Sequence, residues 1–378
     1  MIHVWAPIKL SSAKSFGLRH SISRLFSISY FGNTKSKMQG YMSPRETARL
    51  IADTCLDVKI NMEGVKKVAN IMYNCVKNKK YSLQSWCEHE LNPKSMDKAA
   101  VEWVFVADTL NFSFWSADSE KCFVEYKGKQ HSGYWSLAAA LNRALDEGIP
   151  ITDPSYYASI SREDFLKVFR SDSEYDMPML DERLEVLREA GKVLLQKYDG
   201  SFVNCIRHCE KSAQRLIKLV VNDFPSYRDM LEYNGKKVSF LKRVQILIAD
   251  VWGCCEGQSY GEFSDIDTVT MFADYRIPQA LVYFGALEYS DKLMDYMNRG
   301  EVMKTGDRYE NEIRGCSIWV TELICEETKK MLAQDESLKS ALMNSILIDH
   351  YLWDYRRELA EEEEMKKIPF HRIRCIYY

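Results

Sequence analysis

The chain has 378 residues, of which 46% are apolar and 12% aromatic, and its 51 Lys and Arg residues nearly balance its 54 Asp and Glu residues. This composition excludes a disordered protein, a collagen-like chain and a small scaffold held by disulfide bonds. No apolar run approaches the ~20 residues that a membrane-spanning helix needs. A net charge of −3 argues against binding to nucleic acid through bulk electrostatic attraction.

The N-terminal segment differs in charge from the rest of the chain. No Asp or Glu accompanies the seven Lys and Arg residues that precede Glu46, whereas residues 46–378 carry a net charge of −10. Residues 1–37 are rich in Ser, with apolar residues between the basic ones, which is typical of an organellar transit peptide. A disordered tail or a later start of translation would give the same composition. We therefore predict a leader over residues 1–42 and a cytoplasmic protein, with a mitochondrial location as the alternative.

The folded part of the chain begins with a helix signal. Residues 43–46, SPRE, offer a Ser that can cap the helix, a Pro at the first helical position and a Glu that can bond back to the cap. The short apolar run at 101–106 fits either a strand or a buried helix. Residues 123–126, the turn at 127–129 and a segment that ends at Trp135 indicate one β-hairpin.

Helical periodicity dominates the remainder of the chain. Ser161, followed by an acidic residue at position 164, predicts a second capped helix. Apolar residues at helical spacing predict further helices over 179–198, 212–222, 239–252, 317–333 and 342–362. The chain contains no internal repeat and no low-complexity linker. The sequence therefore predicts a single, mainly α domain over residues 43–378, with a minor β-hairpin.

The eleven cysteines are irregularly spaced and include no C-x-x-C pair. Cys205, His208 and Cys209 could share one face of a helix, but no fourth ligand of matching spacing accompanies them. We therefore predict reduced thiols, no metal site and no cofactor.

Residues 272–279, FADYRIPQ, form the first candidate site. Asp274 lies between the aromatic residues Phe272 and Tyr275, and Arg276 follows. A desolvated carboxylate in this setting can face a developing positive charge, while aromatic rings hold a flat ligand. The start of a helix with a buried aromatic residue and an Asp–Arg pair would give the same pattern.

Residues 349–355, DHYLWDY, form the second candidate site. On a helix, Asp349 and Asp354 lie roughly 140° apart with His350 between them. These side chains could line a cavity for a polar, cationic or amide-bearing heterocycle, or they could occupy an exposed face of the helix. We expect the adjacent Arg356 and Arg357 to be exposed.

Two further segments carry weaker signals. His89 lies in WCEHELNP, which is not an H-E-x-x-H motif because no second His follows at the required position. Lys242 and Arg243 lie near the start of a helical pattern, where they could bind a phosphate or form salt bridges. The chain has no P-loop, no G-x-G-x-x-G, no G-x-S-x-G and no kinase signature.

Long motifs in a fixed order provide the most specific signal in the sequence. They occupy residues 103–106, 108–115, 132–137, 142–152, 271–276, 351–355 and 369–378. Through them the chain resembles the queuosine salvage proteins, the queuosine 5′-phosphate N-glycosylases, over residues 42–378. One position departs from the family pattern, because His350 stands where the family is expected to have Tyr.

The resemblance implies a helical fold akin to that of the DNA glycosylases, adapted to a free nucleotide. It implies hydrolysis of queuosine 5′-monophosphate to the 7-deazaguanine base queuine and ribose 5-phosphate, after which queuine can return to tRNA. The base contacts it implies are His89, Phe272, Asp274, Asp349, His350 and Asp354. We accordingly expect a monomer with a small-molecule substrate, no cofactor, no membrane association and no direct contact with nucleic acid.

The implied reaction assigns roles to several of the candidate residues. Asp274 is the predicted catalytic carboxylate, which stabilises the oxocarbenium-like transition state. His89 could donate to the base carbonyl or help protonate the leaving group. Lys242 is the predicted phosphate or sugar contact, with Arg243 and Arg276 as alternatives.

Two other hypotheses compete with the implied reaction. The first is a non-catalytic helical module that binds queuine or a partner protein. The second is a glycosylase that acts on DNA or RNA, which the acidic charge of residues 46–378 disfavours.

Overall fold

The computed structural model describes residues 36–117 and 121–378, so most of the predicted leader lies outside the described residues. Helices dominate this part of the chain. They are α1 (Pro44–Thr54), α2 (Met62–Lys77), α3 (Ser85–Glu88), α4 (Lys98–Thr109), α5 (Tyr134–Asp146), α6 (Pro154–Tyr157), α7 (Arg162–Val168), α8 (Leu180–Lys197), α9 (Phe202–His208), α10 (Ala213–Asp223), α11 (Lys242–Cys254), α12 (Ile277–Tyr283), α13 (Asp291–Asn298), α14 (Arg308–Gln334), α15 (Ser345–Glu358) and α16 (Glu363–Lys366). None of these helices is both long enough and apolar enough to cross a bilayer.

Short strands form three separate antiparallel pairs within the described residues. The pairs are β1 (Val58–Ile60) with β6 (Leu287–Tyr289), β2 (Phe123–Tyr126) with β3 (Lys129–Ser132), and β4 (Met230–Tyr233) with β5 (Lys236–Ser239). The mainly α fold with a minor β component is confirmed, and so is the predicted hairpin, as β2–β3. The hairpin ends earlier than predicted, because Tyr134 and Trp135 begin α5. The likeness to DNA glycosylases stays a prediction.

Several helix signals are confirmed in their details. The side chain of Ser43 accepts from the N–H of Glu46, whose carboxylate accepts in turn from the N–H of Ser43 at 2.9 Å. Residues 101–106 belong to α4, in which every residue from Ala100 to Thr109 is buried. A helix enclosed on all sides has no polar face, which explains why its sequence also fits a buried strand.

Buried apolar side chains form two clusters. One surrounds α4, α5 and α8 to α11, and the other surrounds α1, α2 and α14. The segment that contains Asp274 contacts both clusters, because Phe272 packs in the first and Met271, Ala273 and Tyr275 pack in the second. These apolar neighbours anchor the segment on both sides of its one acidic residue.

Candidate functional site

A cavity of about 430 Å³, which we call the base cavity, is lined by aromatic rings and carboxylates. Its lining includes all six base contacts implied by the resemblance, which are His89, Phe272, Asp274, Asp349, His350 and Asp354. The fold therefore brings together three segments that are far apart in the sequence.

Asp274 is held at the start of α12. Its Oδ1 accepts hydrogen bonds from the backbone N–H of Arg276 at 2.8 Å and of Ile277 at 2.9 Å. Because these bonds occupy Oδ1, Oδ2 is the oxygen that remains available to a ligand in the cavity. The predicted helix start is therefore present, and the carboxylate also lines the base cavity.

Asp349 lies on α15 and is only 3% exposed. Its Oδ2 accepts a hydrogen bond from the backbone N–H of Phe272 at 2.9 Å. Burial, together with the nearby charge of Asp274, raises the pKa of Asp349 to about 8, against the opposing charges of His350 and Lys242. The carboxyl group of Asp349 is therefore mainly protonated near pH 7.

His350 follows Asp349 on α15 and pairs with a carboxylate of another helix. Its Nε2 lies 3.5 Å from Oδ1 of Asp250, and its ring centroid lies 5.7 Å from that of Phe272. Burial alone would lower the pKa of His350, but the hydrogen bond and charge of Asp250, together with the charges of Asp349 and Asp354, raise it.

Asp354 lies at the rim of the base cavity, one turn of α15 beyond His350. The hydroxyl group of Tyr81 donates to its Oδ2 at 3.2 Å. Desolvation raises the pKa of Asp354, and the positive charge of His350 opposes that shift. Three acidic side chains, Asp250, Asp349 and Asp354, therefore surround the imidazole of His350.

The ring of His89 stacks on that of Trp135, with the centroids 3.3 Å apart and the planes 7° apart. Its Nδ1 accepts from the backbone N–H of Leu91 at 3.3 Å, which leaves the proton of the neutral ring on Nε2. Burial is the main cause that lowers the pKa of His89 to about 4, and Arg357 adds to it. His89 can thus donate a hydrogen bond, but near pH 7 it holds no second proton to give to a leaving group.

A second cavity of about 680 Å³, which we call the arginine cavity, adjoins the base cavity. The residues that line both are Asn111, Tyr134, Lys242, Asp274 and Trp353. The arginine cavity is also lined by Arg276, Arg356, Arg357 and Arg372, and within the described residues none of these four forms an ion pair with a carboxylate.

The arginines are held by aromatic packing and partial burial. Arg276 lies 4.2 Å from the ring centroid of Phe370, and burial lowers its pKa. Burial and the adjacent charge of Arg276 lower the pKa of Arg356 to about 9, so both side chains stay positively charged near pH 7. The expectation that Arg356 and Arg357 are exposed is wrong, because both are half-buried against the cavity.

Lys242 lies at the first turn of α11, directly after Leu241, whose φ of 55° turns the chain into the helix. Its Nζ donates to the backbone oxygen of Asn111 at 3.1 Å and to Oδ1 of the same residue at 3.0 Å. Burial lowers the pKa of Lys242, and the charges of Asp274 and Asp108 oppose that shift. The predicted sugar or phosphate contact is therefore a buried cation at the junction of the two cavities.

The structure does not bring Arg243 into the site. Its guanidinium group is buried and donates to the backbone oxygens of Thr109 and Ser226, and the side chain lines neither cavity. Arg276, the other alternative, does line the arginine cavity.

Sequence reasoning missed several residues that line the base cavity, namely Tyr81, Trp86, Asn111, Tyr134, Trp135 and Asp250. A usable signal existed for Asp250, because Lys242, Ile246 and Asp250 recur every four residues and lie on the same face of α11. Among the residues that the structure describes, no three His, Cys, Asp or Glu side chains are grouped so that they could hold a metal ion.

Comparison of the sequence with known proteins identifies the family of this chain. The sequence pattern of the queuosine salvage proteins matches residues 91–378. The chain is 51% identical to a queuosine 5′-phosphate N-glycosylase/hydrolase of Bos taurus, over 90% of this chain and 100% of the relative. It is 35% identical to a protein of that name from Sphaerobacter thermophilus, over 88% of this chain and 96% of the relative. The chain belongs to the queuosine salvage protein family.

Proposed function

We propose that this chain hydrolyses the N-glycosidic bond of queuosine 5′-monophosphate and releases queuine and ribose 5-phosphate. One observation carries the proposal: an acidic, aromatic cavity and a cavity rich in arginine meet at Asp274 and Lys242. A nucleotide presents the same order, because its ribose lies between its base and its 5′-phosphate. The names of the relatives agree with this assignment.

Asp274 stabilises the transition state in this proposal. As the bond from C1′ to the base breaks, positive charge develops on C1′ and on the ring oxygen of the ribose. A carboxylate fixed beside C1′ stabilises that charge, and it can accept a proton from the water that attacks C1′. Two backbone hydrogen bonds hold Asp274 in place before the reaction starts, so little reorganisation is needed.

The base cavity recognises queuine through stacking and hydrogen bonds. Phe272 stacks on the 7-deazaguanine ring, and Nε2–H of His89 donates to the base carbonyl. Asp250 and Asp354 attract the positively charged aminomethyl group of queuine, with His350 between them. An adenine base leaves these polar groups without partners, which penalises its binding.

The arginine cavity binds the 5′-phosphate. Arg276, Arg356 and Arg357 supply guanidinium groups that suit a phosphate, and Arg356 has a buried Nε without a hydrogen-bond partner. Lys242, at the junction, contacts the ribose. This arrangement favours the nucleotide over the free nucleoside queuosine.

The test is to incubate the full chain with queuosine 5′-monophosphate and, in parallel, with queuosine, and to measure free queuine by mass spectrometry. We expect queuine to be released from the nucleotide, faster than from queuosine and unaffected by a metal chelator. In Asp274→Asn the rate should fall by about 10²–10³-fold, the size of one strong transition-state contact. The melting temperature of this variant should stay close to that of the wild type.

The same measurements address the competing hypotheses. A non-catalytic module would bind queuine and rise in melting temperature, but it would release no base. A glycosylase that acts on DNA or RNA would bind duplexes strongly and in a salt-dependent manner. Turnover of Asp274→Asn at the wild-type rate would remove this residue from the reaction.

We propose that residues 43–378 form one catalytic domain, which acts as a monomer and makes no direct contact with nucleic acid. We place it in the cytoplasm and keep the mitochondrion as the alternative that the basic composition of residues 1–37 raises. Sedimentation of the purified protein and imaging of chains with and without residues 1–37 test these two points.

A further inference from the structure

The proposed reaction needs a proton at the departing base. Without one, the base must leave as an anion, which is costly in a cavity that already contains several carboxylates. A 7-deazaguanine has no N7, so the acceptors that remain on the heterocycle are its carbonyl oxygen and N3. A group that lines the base cavity must therefore supply the proton.

Most polar groups of the base cavity are unsuited to that role. His89 is neutral near pH 7, because burial lowers its pKa to about 4. The hydroxyl group of Tyr81 donates to Asp354, and burial raises its pKa well above the usual range. The Nζ of Lys242 already donates to both oxygens of Asn111.

Asp349 differs from these groups in its geometry. One of its oxygens, Oδ2, accepts from the N–H of Phe272, whereas Oδ1 has no hydrogen-bond partner within residues 36–117 and 121–378. The side chain is 3% exposed and lines the base cavity together with Asp274. Two neighbouring carboxyl groups in such a site cannot both ionise at low cost.

The two carboxyl groups differ in their hydrogen bonds. Oδ1 of Asp274 accepts from two backbone N–H groups, whereas Asp349 accepts from one. For Asp349, burial and the charge of Asp274 outweigh the opposing charges of His350 and Lys242. Burial thus favours the protonated form of Asp349, which is the form that a general acid needs.

We propose that Asp349 is the general acid of the reaction and gives its proton to the departing base. This inference rests on the function proposed above. The bond from C1′ to the base breaks with its electron pair on the base, which takes the proton of Asp349. The oxygen of water bonds to C1′ and one proton of that water passes to Asp274. Exchange with solvent then returns Asp274 to the carboxylate and Asp349 to the acid.

The first experiment measures the pH dependence of kcat/KM, which reports the pKa values of the free enzyme, for the full chain and for Asp349→Asn with queuosine 5′-monophosphate as substrate. The wild-type kcat/KM should fall as the pH rises through about 8, because Asp349 then loses its proton. Asp349→Asn should lower kcat by about 10²–10³-fold and abolish this decline, since general acids contribute rate factors of this order. The KM of the variant should change by only a few-fold.

A second substrate separates proton donation from binding. In 4-nitrophenyl β-D-ribofuranoside 5-phosphate the leaving group departs as a stable anion and needs no proton. We expect the kcat deficit of Asp349→Asn to shrink to less than about tenfold on this substrate, because the lost step is no longer required. A deficit of equal size on both substrates would overturn the proposal, since it would mean that Asp349 only shapes the cavity.

A matched variant tests the neighbouring imidazole. His350→Gln removes the other titratable group that adjoins Asp349 on α15, and we expect the decline of kcat/KM at high pH to persist in it. Loss of the decline in His350→Gln, but not in Asp349→Asn, would overturn the proposal and assign the proton to His350. If the wild type itself releases no queuine, the proposed function fails, and that outcome is distinct from a failure of Asp349 alone.

Discussion

The Nε of Arg314 lies 2.9 Å from the backbone oxygen of Ala273, the residue that precedes Asp274. The same guanidinium group pairs with Asp229 at 2.6 Å, and Oδ2 of Asp229 accepts from the N–H of Lys242 at 3.1 Å. The side chains of this ion pair are 0% and 2% exposed. Arg314 is hydrogen-bonded to the segment that contains Asp274, and Asp229 is hydrogen-bonded to the start of the helix that contains Lys242.

Replacing Arg314 should damage both stability and catalysis. Arg314→Met leaves Asp229 buried without its partner, so we expect the free energy of unfolding to fall by about 3–5 kcal/mol. Arg314→Lys keeps a charge but replaces the three separate nitrogens that contact Ala273 and Asp229 with a single one, so its kcat should fall even where it remains folded. Urea unfolding and queuine release measure the two effects.

An exposed arginine provides the control for this prediction. Arg162 pairs with Asp181 at the surface, with side chains 61% and 70% exposed, and Arg162→Ala should change neither stability nor kcat measurably. Wild-type stability in Arg314→Met would contradict the argument that the buried pair holds the junction of the two cavities.

Arg356 should determine the preference for the nucleotide. In Arg356→Met we expect the ratio of kcat/KM for queuosine 5′-monophosphate to that for queuosine to fall by about 10–100-fold, since hydrogen bonds to charged groups contribute about 1.5–3 kcal/mol. Lys339, which is exposed, pairs with Glu336 and lines neither cavity, is the control, and Lys339→Met should leave the ratio within about twofold. An equal loss on both substrates would show that Arg356 does not contact the phosphate.

His350 should make the stability of the protein depend on pH. Its pKa is raised in the folded state, so the folded state binds more protons than the unfolded state between the two pKa values. The stabilisation is complete below the ordinary pKa of His, about 6.5, and is lost as the pH rises through the folded value. His350→Gln should therefore be more destabilised, relative to the wild type, near pH 6 than near pH 9.

Unfolding of Asp250→Asn in urea at pH 6 and pH 9 tests which group causes the pH-dependent stabilisation by His350. Asp250 supplies the hydrogen bond and the largest charge that raise the pKa of His350. In the Asp250→Asn background, the His350→Gln substitution should lose most of its pH dependence. An unchanged dependence would mean that Asp349 and Asp354 set the pKa of His350 instead.

Local signals predicted the ends of those helices whose polar residues face solvent. The capping box of α1 is present, and the helix predicted over 179–198 is Leu180–Lys197. By contrast, α14 begins at Arg308, nine residues before the predicted start. Its first turns contain the buried residues Glu310 and Glu312, which accept from the hydroxyl group of Tyr378 and from the backbone N–H of Asp57 respectively. Periodicity cannot recognise a buried acid whose partner lies elsewhere in the chain.

The missed strand pairs had different causes. The turn between β4 and β5 consists of Asn234 and Gly235, with φ of 50° and 72°, and an Asn-Gly pair is a recognised hairpin signal, so this hairpin was predictable. The pairing of β1 with β6 joins Val58 to Tyr289, and no local pattern reports a contact between positions so far apart.

The candidate site was predictable only in part. The family resemblance supplied six of the residues that line the base cavity, and helical spacing could have added Asp250. The arginine cavity was missed because Arg356 and Arg357 follow an acidic, aromatic helix segment and precede a run of glutamates, which together favour an exposed face. The cavity is also lined by the C-terminal segment around Phe370, whose position no local pattern near Arg356 and Arg357 indicates.

Asp349 should reduce the stability of the unliganded protein at high pH. Its folded-state pKa of about 8 lies above the ordinary value of 3.8, so the folded state binds more protons between these values and stability falls as the pH rises through that range. Asp349→Asn removes the group that must ionise, so it should gain stability relative to the wild type as the pH rises from about 5 to about 9. Leu352→Ala, a buried substitution on the same helix that carries no proton, should lose about 2–5 kcal/mol at every pH. A difference between Asp349→Asn and the wild type that stays constant over this pH range would mean that Asp349 is already ionised in the folded protein, and the proton assigned to it would have to come from another group.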